Sequence, residues 1–178
     1  MEIMNKQGFT LIELLIVIGI IGILAMVATT SYIGSMLKAD RSEAYTNLES
    51  LRLLEEQLFA ENACYQPLVA GVCPAGGTIS YNATPGTADS GIEDALPGFQ
   101  PSGCTGCATP FGLKYTYVIT QNVQITGGGN SLAVPPTTGA QDPCFVATAT
   151  GVAGTRVCKD PPNDCDVFAI DCNNNKNF

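Results

Sequence analysis

The sequence contains no histidine and few charged residues, and both shortages restrict what the protein can do. Its 178 residues include eight lysines and arginines against sixteen aspartates and glutamates, which gives a net charge of −8. Without histidine the chain lacks the commonest metal ligand and general base, and it cannot carry a CxxCH haem attachment. The basic residues are scattered rather than clustered along a phosphate-binding face, so nucleic acid is not expected as a direct partner.

Recognisable nucleophile motifs are also missing, so an enzyme would have to depend on a catalytic carboxylate or cysteine for which the sequence gives no sign. We therefore predict no enzymatic activity and no cofactor. Aromatic residues make up only 7% of the chain. With no haem ligand either, electron conduction by this subunit has little chemical support.

Cysteine is absent from the first 60 residues, and eight cysteines follow: Cys64, Cys73, Cys104, Cys107, Cys144, Cys158, Cys165 and Cys172. An even number of cysteines in a segment rich in Gly, Pro and Thr predicts a set of disulfides, which places this part of the chain outside the cytoplasm. The Cys104–Cys107 pair is a lone CxxC motif. Because no second CxxC or histidine completes a tetrahedral site, we interpret it as structural rather than redox-active or zinc-binding.

The N-terminal part has no charge between Leu14 and Leu37 and no proline before Pro67. A helix over residues 9–28 alone would be about 30 Å long, close to the thickness of a bilayer's hydrocarbon core. Beyond Tyr32, apolar residues recur at intervals of three and four among charged ones: Ala44, Leu48, Leu51, Leu54 and Leu58. This spacing predicts that the helix continues with one buried face and ends near Asn62.

The remaining residues indicate a small antiparallel sheet. Residues 63–113 are rich in Gly, Pro, Ser and Thr, which predicts a long loop held by disulfides. Residues 113–126 alternate and are rich in β-branched and aromatic side chains, which predicts a strand. We expect a hairpin over residues 143–160, turning between Gly151 and Gly154, and a last strand over 167–172. The predicted fold class is α+β, a long N-terminal helix packed on a small antiparallel β-sheet.

Gly8-Phe9 followed by TLIELLIVIGIIGILA resembles the N-terminus of type IV pilins and of the related type II secretion pseudopilins, and the resemblance extends from Lys6 to Tyr65. It implies a type IV pilin fold with a leader peptide, residues 1–8, that a prepilin peptidase removes after Gly8. Phe9 would become the methylated amino terminus. The long helix would occupy residues 9–62, with its first half forming the membrane span and later the filament core. A disulfide-stapled head would occupy residues 63–178, and translation could begin at Met1 or Met4.

Glu13 is the one carboxylate in the apolar segment, and its chemistry can be argued separately from the resemblance. A carboxylate surrounded by Leu and Ile is costly in hydrocarbon unless it finds a partner or a proton. Removal of the leader would create a positive amine at Phe9 one helical turn away, and a neighbouring subunit's amine could approach as well. We therefore expect Phe9 and Glu13 to favour assembly and to fix the register between subunits. The alternative is a plain membrane anchor with Glu13 at the interface.

The resemblance implies a structural subunit of an extracellular type IV pilus, and it leaves open whether the filament serves adhesion, twitching motility, uptake or signalling. Its partners would be copies of itself, the prepilin peptidase and the inner-membrane assembly machinery. The precursor would lie in the inner membrane before reaching the cell surface. A type II secretion pseudopilin and a minor tip pilin remain as alternatives. Many pilins have a proline near the position of Thr30, and its absence here leaves open how far residues 22–31 would unwind in a filament.

Two further predictions concern the head. We expect the disulfides Cys64–Cys73, Cys104–Cys107, Cys144–Cys158 and Cys165–Cys172, the third because a turn centred on Gly151 would place its cysteines opposite each other. Asp160, Asp164 and Asp166 supply oxygen ligands that suit calcium, which some pseudopilins bind in a C-terminal loop. No EF-hand spacing is present, and such clusters mostly form turns, so we predict no metal site.

Overall fold

The computed structural model describes residues 9–66, 68, 73, 76–80, 91–96, 98–99, 101, 113–126, 137–161 and 164–178. The chain divides into two compact units, Met1–Ala39 and Asp40–Phe178. The secondary structure consists of a long helix, a short helix and a four-stranded antiparallel sheet. This arrangement confirms the predicted α+β fold class.

The long helix, α1, spans Leu11–Asn62. It ends where predicted, because Ala63 adopts a left-handed conformation with φ of 55° and donates its N–H to the carbonyl of Phe59 at 2.7 Å. A left-handed residue directly after the last turn is a common way to close a helix. The helix is uninterrupted over its 52 residues because no proline occurs before Pro67.

In the first unit, none of the described residues covers the apolar half of α1. Every large apolar side chain between Phe9 and Ile33 is at least 46% exposed. By length and composition α1 is able to cross a membrane. A helix that is apolar on all sides requires lipid or other apolar helices around it.

The second unit contains β1 (Thr78–Ser80), α2 (Ile92–Ala95), β2 (Tyr115–Thr126), β3 (Thr137–Gly151) and β4 (Val167–Asp171). The strands follow chain order in the sheet, and all neighbours are antiparallel. The strands predicted at residues 113–126 and 167–172 are confirmed. The segment predicted as a long loop also contains β1 and α2.

The predicted hairpin over residues 143–160 is wrong. Residues 137–151 form the single strand β3, and its last residue, Gly151, pairs with Tyr115 at the start of β2. The partners of β3 are β2 and β4, so residues 152–160 do not pair back along β3 as the second strand of a hairpin. Gly151 is suited to this position because an added Cβ would lie 2.7 Å from the carbonyl oxygen of Val157.

The core of the second unit lies between α1 and one face of the sheet. Ala44, Leu48 and Leu51 are fully buried, as their spacing predicted, whereas Leu54 and Leu58 are only half-buried. The next buried helix position is occupied by Glu55. Alternate residues of β2 supply the opposing surface, and the Tyr117 hydroxyl accepts a hydrogen bond of 2.7 Å from the Asn47 side chain.

Two of the predicted disulfides are wrong and one is confirmed. The structure contains Cys64–Cys73, as predicted, together with Cys144–Cys172 and Cys158–Cys165. Because β3 continues past Cys144 and pairs with β4, it brings Cys144 to the end of β4 rather than opposite Cys158. The chain reversal after β3 then brings Cys158 and Cys165 together. The predicted Cys104–Cys107 pair lies outside the described residues.

The C-terminal residues are fixed to the sheet by the fully buried carboxylate of Asp171. It accepts hydrogen bonds from the N–H groups of Ile125, Asn173 and Asn175 at 2.8–3.0 Å, and from the Asn175 side chain at 2.9 Å. Asp171 therefore connects β2 to the chain end, which the sequence did not indicate.

Candidate functional site

The first turn of α1 contains the candidate assembly residue Glu13. Thr10 lies directly before the helix, and its hydroxyl oxygen accepts a hydrogen bond of 3.3 Å from the N–H of Glu13. In return, Oε2 of Glu13 accepts hydrogen bonds from the N–H of Thr10 at 3.0 Å and from its hydroxyl at 2.8 Å. This reciprocal arrangement is a capping box, which satisfies backbone donors that have no partner within the helix.

Sequence reasoning missed the capping role of Glu13, although T-x-x-E before an apolar run is its signature. Only one carboxylate oxygen takes part, and Oε1 makes no hydrogen bond with any described residue. The side chain can therefore cap its own helix and still present an oxygen to a cation from outside. Phe9 is 85% exposed beside it, while Gly8 and the rest of the predicted leader lie outside the described residues.

Ion pairs hold the beginning of the head portion of α1, residues 40–62, to the start of β2 and to the chain that follows β3. The buried carboxylate of Asp40 contacts the ammonium of Lys114 at 2.7 Å and the guanidinium of Arg156 at 2.9 Å. Arg41 donates two hydrogen bonds to Asp166, at 2.7 and 2.8 Å. A two-point arginine–carboxylate contact fixes orientation as well as distance. These pairs place α1 on the head, and no sequence spacing predicted them.

The calcium candidates do not form a ligand set. Asp166 is 8% exposed, and its carboxylate binds Arg41 and accepts a hydrogen bond of 3.2 Å from the Tyr115 hydroxyl. Asp160 and Asp164 are exposed. Among the residues that the structure describes, no group of three acidic or cysteine side chains is arranged to hold a metal ion. The one buried aspartate of this cluster serves the α1 contact.

Glu55 is a fully buried titratable group near the end of α1. Its Oε2 accepts a hydrogen bond of 2.9 Å from the N–H of Gln66, while its Oε1 has no hydrogen-bond partner in the described part of the chain. Burial raises the pKa of Glu55 to about 7, opposed by the hydrogen bond from Gln66 and assisted by the nearby charge of Glu56. This carboxyl group links α1 to the loop that follows it.

Comparison with known proteins gives similarities to one family model and to several curated proteins. A family model described as the prokaryotic N-terminal methylation motif matches residues 3–29. The type IV major pilin protein PilA of Myxococcus xanthus is 31% identical over an alignment that covers 72% of this chain and 74% of that protein. A fimbrial protein of Moraxella nonliquefaciens is 54% identical over 50 residues, covering 28% and 32% respectively. The type II secretion system core protein G of Vibrio cholerae is 36% identical over 66 residues, covering 36% and 45%.

These similarities differ in extent. The one to the Myxococcus protein extends over most of both chains, whereas the other two cover about a third of this chain and less than half of each relative. No solved structure matches the chain significantly. The motif match includes the first turn of α1, where the capping box lies.

Proposed function

The chain belongs to the type IV pilin family and is a pilus subunit, and from this premise we propose how it is matured and assembled. A prepilin peptidase removes residues 1–8 after Gly8, and the new amino terminus at Phe9 is methylated. The match of residues 3–29 to the methylation motif supports this maturation. The subunit is then a structural, non-enzymatic component of an extracellular filament.

Before assembly, the apolar half of α1 anchors the precursor in the inner membrane with the head on the outer side. The exposed apolar side chains from Phe9 to Ile33 support this location. Moving one such side chain from water into an apolar environment is favourable by about 1.5–3 kcal/mol of free energy. The disulfides of the head support its location in an oxidising compartment outside the cytoplasm. In the filament, the same helix surfaces bury one another in place of lipid.

Glu13 selects the neighbour during assembly. The observation that carries this step is the geometry of its carboxylate, with Oε2 held by Thr10 and Oε1 left open at an exposed helix start. In hydrocarbon, a cation at the same depth in the membrane would stabilise the charged carboxylate of Glu13 most strongly. The methylated amine of a neighbouring subunit's Phe9 is such a cation. Joining these two groups fixes the axial register between subunits. The assembly machinery of the inner membrane would add each subunit at this point.

The variant Glu13→Gln separates charge from capping, because its amide oxygen still accepts the Thr10 N–H. We expect normal membrane levels of this variant but loss of filaments from sheared cell-surface material. Thr10→Val is the matched control, because it weakens the cap but keeps the charge, and it should still yield filaments. Normal filament yield from Glu13→Gln would contradict the charge mechanism.

Electron microscopy and mass spectrometry of the sheared material test the assignment to a pilus. Long fibres whose subunit begins at methylated Phe9 are expected. Short or absent fibres, with the mature subunit confined to the periplasm, would instead support a type II secretion pseudopilin, which the similarity to core protein G suggests. A subunit found only at fibre ends would indicate a minor tip pilin. Intact chains that still begin at Met1 or Met4 would contradict the maturation step.

A further inference from the structure

The edge of the sheet formed by β4 is covered by the residues that follow it. β4 is the last strand in the described sheet, and an edge strand leaves a row of backbone N–H and C=O groups without a strand partner. Residues 174–178 turn back beside β4, and we name them the C-terminal strap. Lys176 of the strap forms an antiparallel bridge with Ile170 of β4. The strap therefore occupies the place that a further strand would take.

The strap satisfies the outward-facing backbone groups of β4. In an antiparallel strand, alternate residues direct their N–H and C=O groups toward the same neighbour, and on the outer side of β4 these residues are Val167, Ala169 and Asp171. The N–H of Asp171 donates to the carbonyl of Asn175 at 3.2 Å, and its carbonyl accepts the N–H of Asn174 at 3.0 Å. The end of β4 is thus closed by the first residues of the strap.

Asn177 takes the central position in this contact. Its backbone N–H donates to the carbonyl of Ala169 at 3.4 Å, and its side-chain Oδ1 accepts the N–H of Ala169 at 2.7 Å. Its Nδ2 donates to the carbonyl of Val167 at 2.9 Å. The Asn177 side chain is only 3% exposed, and its donor and acceptor take the place of the backbone groups of a partner strand.

Contacts at both ends keep the strap beside β4. Shortly before it, Cys172 forms the disulfide with Cys144 of β3. At its far end, the ring of Phe178 stacks on the ring of Tyr45, with centroids 4.3 Å apart. The strap is therefore tied to the sheet at one end and to the head portion of α1 at the other.

The strand β4 itself has none of the usual protection of an edge strand. Proteins discourage edge-to-edge pairing with lysine, proline or a bulge on the edge strand. The sequence of β4, VFAID, contains neither lysine nor proline, and its register with β3 is continuous. Its valine, phenylalanine and isoleucine favour strand structure. Without the strap, β4 would be an open template for another strand.

We infer that the C-terminal strap blocks a pairing surface on β4 that would otherwise bind the β4 strand of a second copy. The outward-facing residues are placed symmetrically about Ala169. Two antiparallel copies of β4 can therefore meet with Ala169 opposite Ala169 and with Val167 opposite Asp171. In this register each facing pair exchanges two backbone hydrogen bonds. A second copy is favoured as the partner because subunits anchored in one membrane by α1 bring many copies of β4 close together.

Such a pairing would compete with filament assembly. It joins the same surface on both copies, so it closes a dimer instead of extending a fibre. With the strap in place, the apolar half of α1 remains the surface through which subunits associate. The inference goes beyond the proposed function, since it concerns the head and can be tested without filaments.

Removing the contacts of Asn177 in the full-length, detergent-solubilised protein tests the inference. Asn177→Pro removes both side-chain hydrogen bonds and the backbone N–H. Light scattering should show its protein mass doubling at high concentration, whereas the wild type stays monomeric. In dilute solution, the amide hydrogen of Ala169 should exchange roughly tenfold faster than in the wild type, because it has lost its acceptor. At high concentration it should be protected again, because a second copy of β4 supplies a new acceptor.

Asp40→Asn is the matched control, because it weakens the head at the contact with Lys114 and Arg156 but leaves the strap intact. It should stay monomeric, which separates edge pairing from a general effect of lower stability. Dimers of Asp40→Asn would overturn the link to the strap. If Asn177→Pro does not fold, Asn177→Ala provides the same test with smaller changes, because it keeps the backbone N–H.

Two results with the Asn177 variants would overturn the inference. A variant that is monomeric at every concentration, with fast exchange at Ala169 throughout, would show that the uncovered edge binds no second copy. Dimers in which exchange at Ala169 does not depend on concentration would show association through another surface. Neither result affects maturation at Phe9 or the role of Glu13. Absence of wild-type fibres, in turn, would overturn the proposed function and leave the role of the strap intact.

Discussion

The substitution Glu55→Gln should stabilise the subunit at neutral and alkaline pH. Glu55 is fully buried against the loop after α1, and only one of its oxygens has a hydrogen bond among the described residues. Glutamine keeps the shape of the side chain and an oxygen that can accept the N–H of Gln66. It removes the charge, which burial opposes.

The pKa of Glu55 gives the size and sign of the effect. Because burial raises this pKa from 4.5 to about 7, the folded subunit holds the proton more tightly than the unfolded chain does. Glu55 therefore carries no penalty below pH 4.5, reduces the free energy of unfolding as the pH rises from 4.5 to 7, and has its full effect above 7. The full penalty is about 3 kcal/mol. Allowing for relaxation around the charge, we expect Glu55→Gln to gain ~1–3 kcal/mol at about pH 8 and nothing at about pH 4.

Urea denaturation of the detergent-solubilised subunit at several pH values measures this gain. The quantity of interest is the difference between variant and wild type, because other carboxyl groups affect both proteins equally. Glu61→Gln is the matched control on the same helix. Its carboxylate is exposed and accepts a hydrogen bond of 3.3 Å from Gln57, so this variant removes a charge that is not buried and should not stabilise the subunit in this way. A Glu55→Gln effect that is the same at about pH 4 and about pH 8 would refute the reasoning.

Three further substitutions test contacts that only the structure revealed. Asp171→Asn presents an NH₂ group to backbone donors such as Ile125 N–H and should lower the free energy of unfolding by about 2–4 kcal/mol, measured by urea denaturation; an unchanged midpoint would contradict the role of Asp171 as a connection between β2 and the chain end. Asp40→Asn leaves two cations without their carboxylate and should destabilise the head by about 1–3 kcal/mol in low salt, with a smaller loss in high salt; a loss that does not depend on salt would argue against an ionic contact. Thr10→Val should weaken the first turn of α1 by ~0.5–2 kcal/mol, seen as faster amide hydrogen exchange at Glu13, whereas unchanged exchange would exclude the capping box.

Local features of the chain were predictable because neighbouring residues determine them. The end of α1 near Asn62 followed from side-chain periodicity and from the absence of proline. The alternation in residues 113–126 identified β2, and the Cys64–Cys73 disulfide was predicted correctly. The capping box at Thr10 was also readable from the sequence, since its signature spans only four residues.

The errors in strand pairing and in the disulfides concern which distant residues meet. Gly151 and Gly154 suggested the turn of a hairpin, but β3 pairs with β2 and β4 rather than with the residues that follow this turn. This pairing brings Cys144 to Cys172 and leaves Cys158 for Cys165. Strand register depends on the partner strand and on the packed face, and neither is visible from a single segment.

The sequence by itself determined that an apolar helix with one carboxylate near its start precedes an oxidised, acidic head, because composition and helical periodicity are properties of consecutive residues. Only the tertiary structure decided which acidic groups are buried and what each one meets. Asp166 binds Arg41, Asp171 holds the chain end, and Glu55 occupies a core position that its charge made unexpected. These outcomes depend on surfaces brought together from distant parts of the chain, because only the folded chain decides which polar groups surround a buried carboxylate.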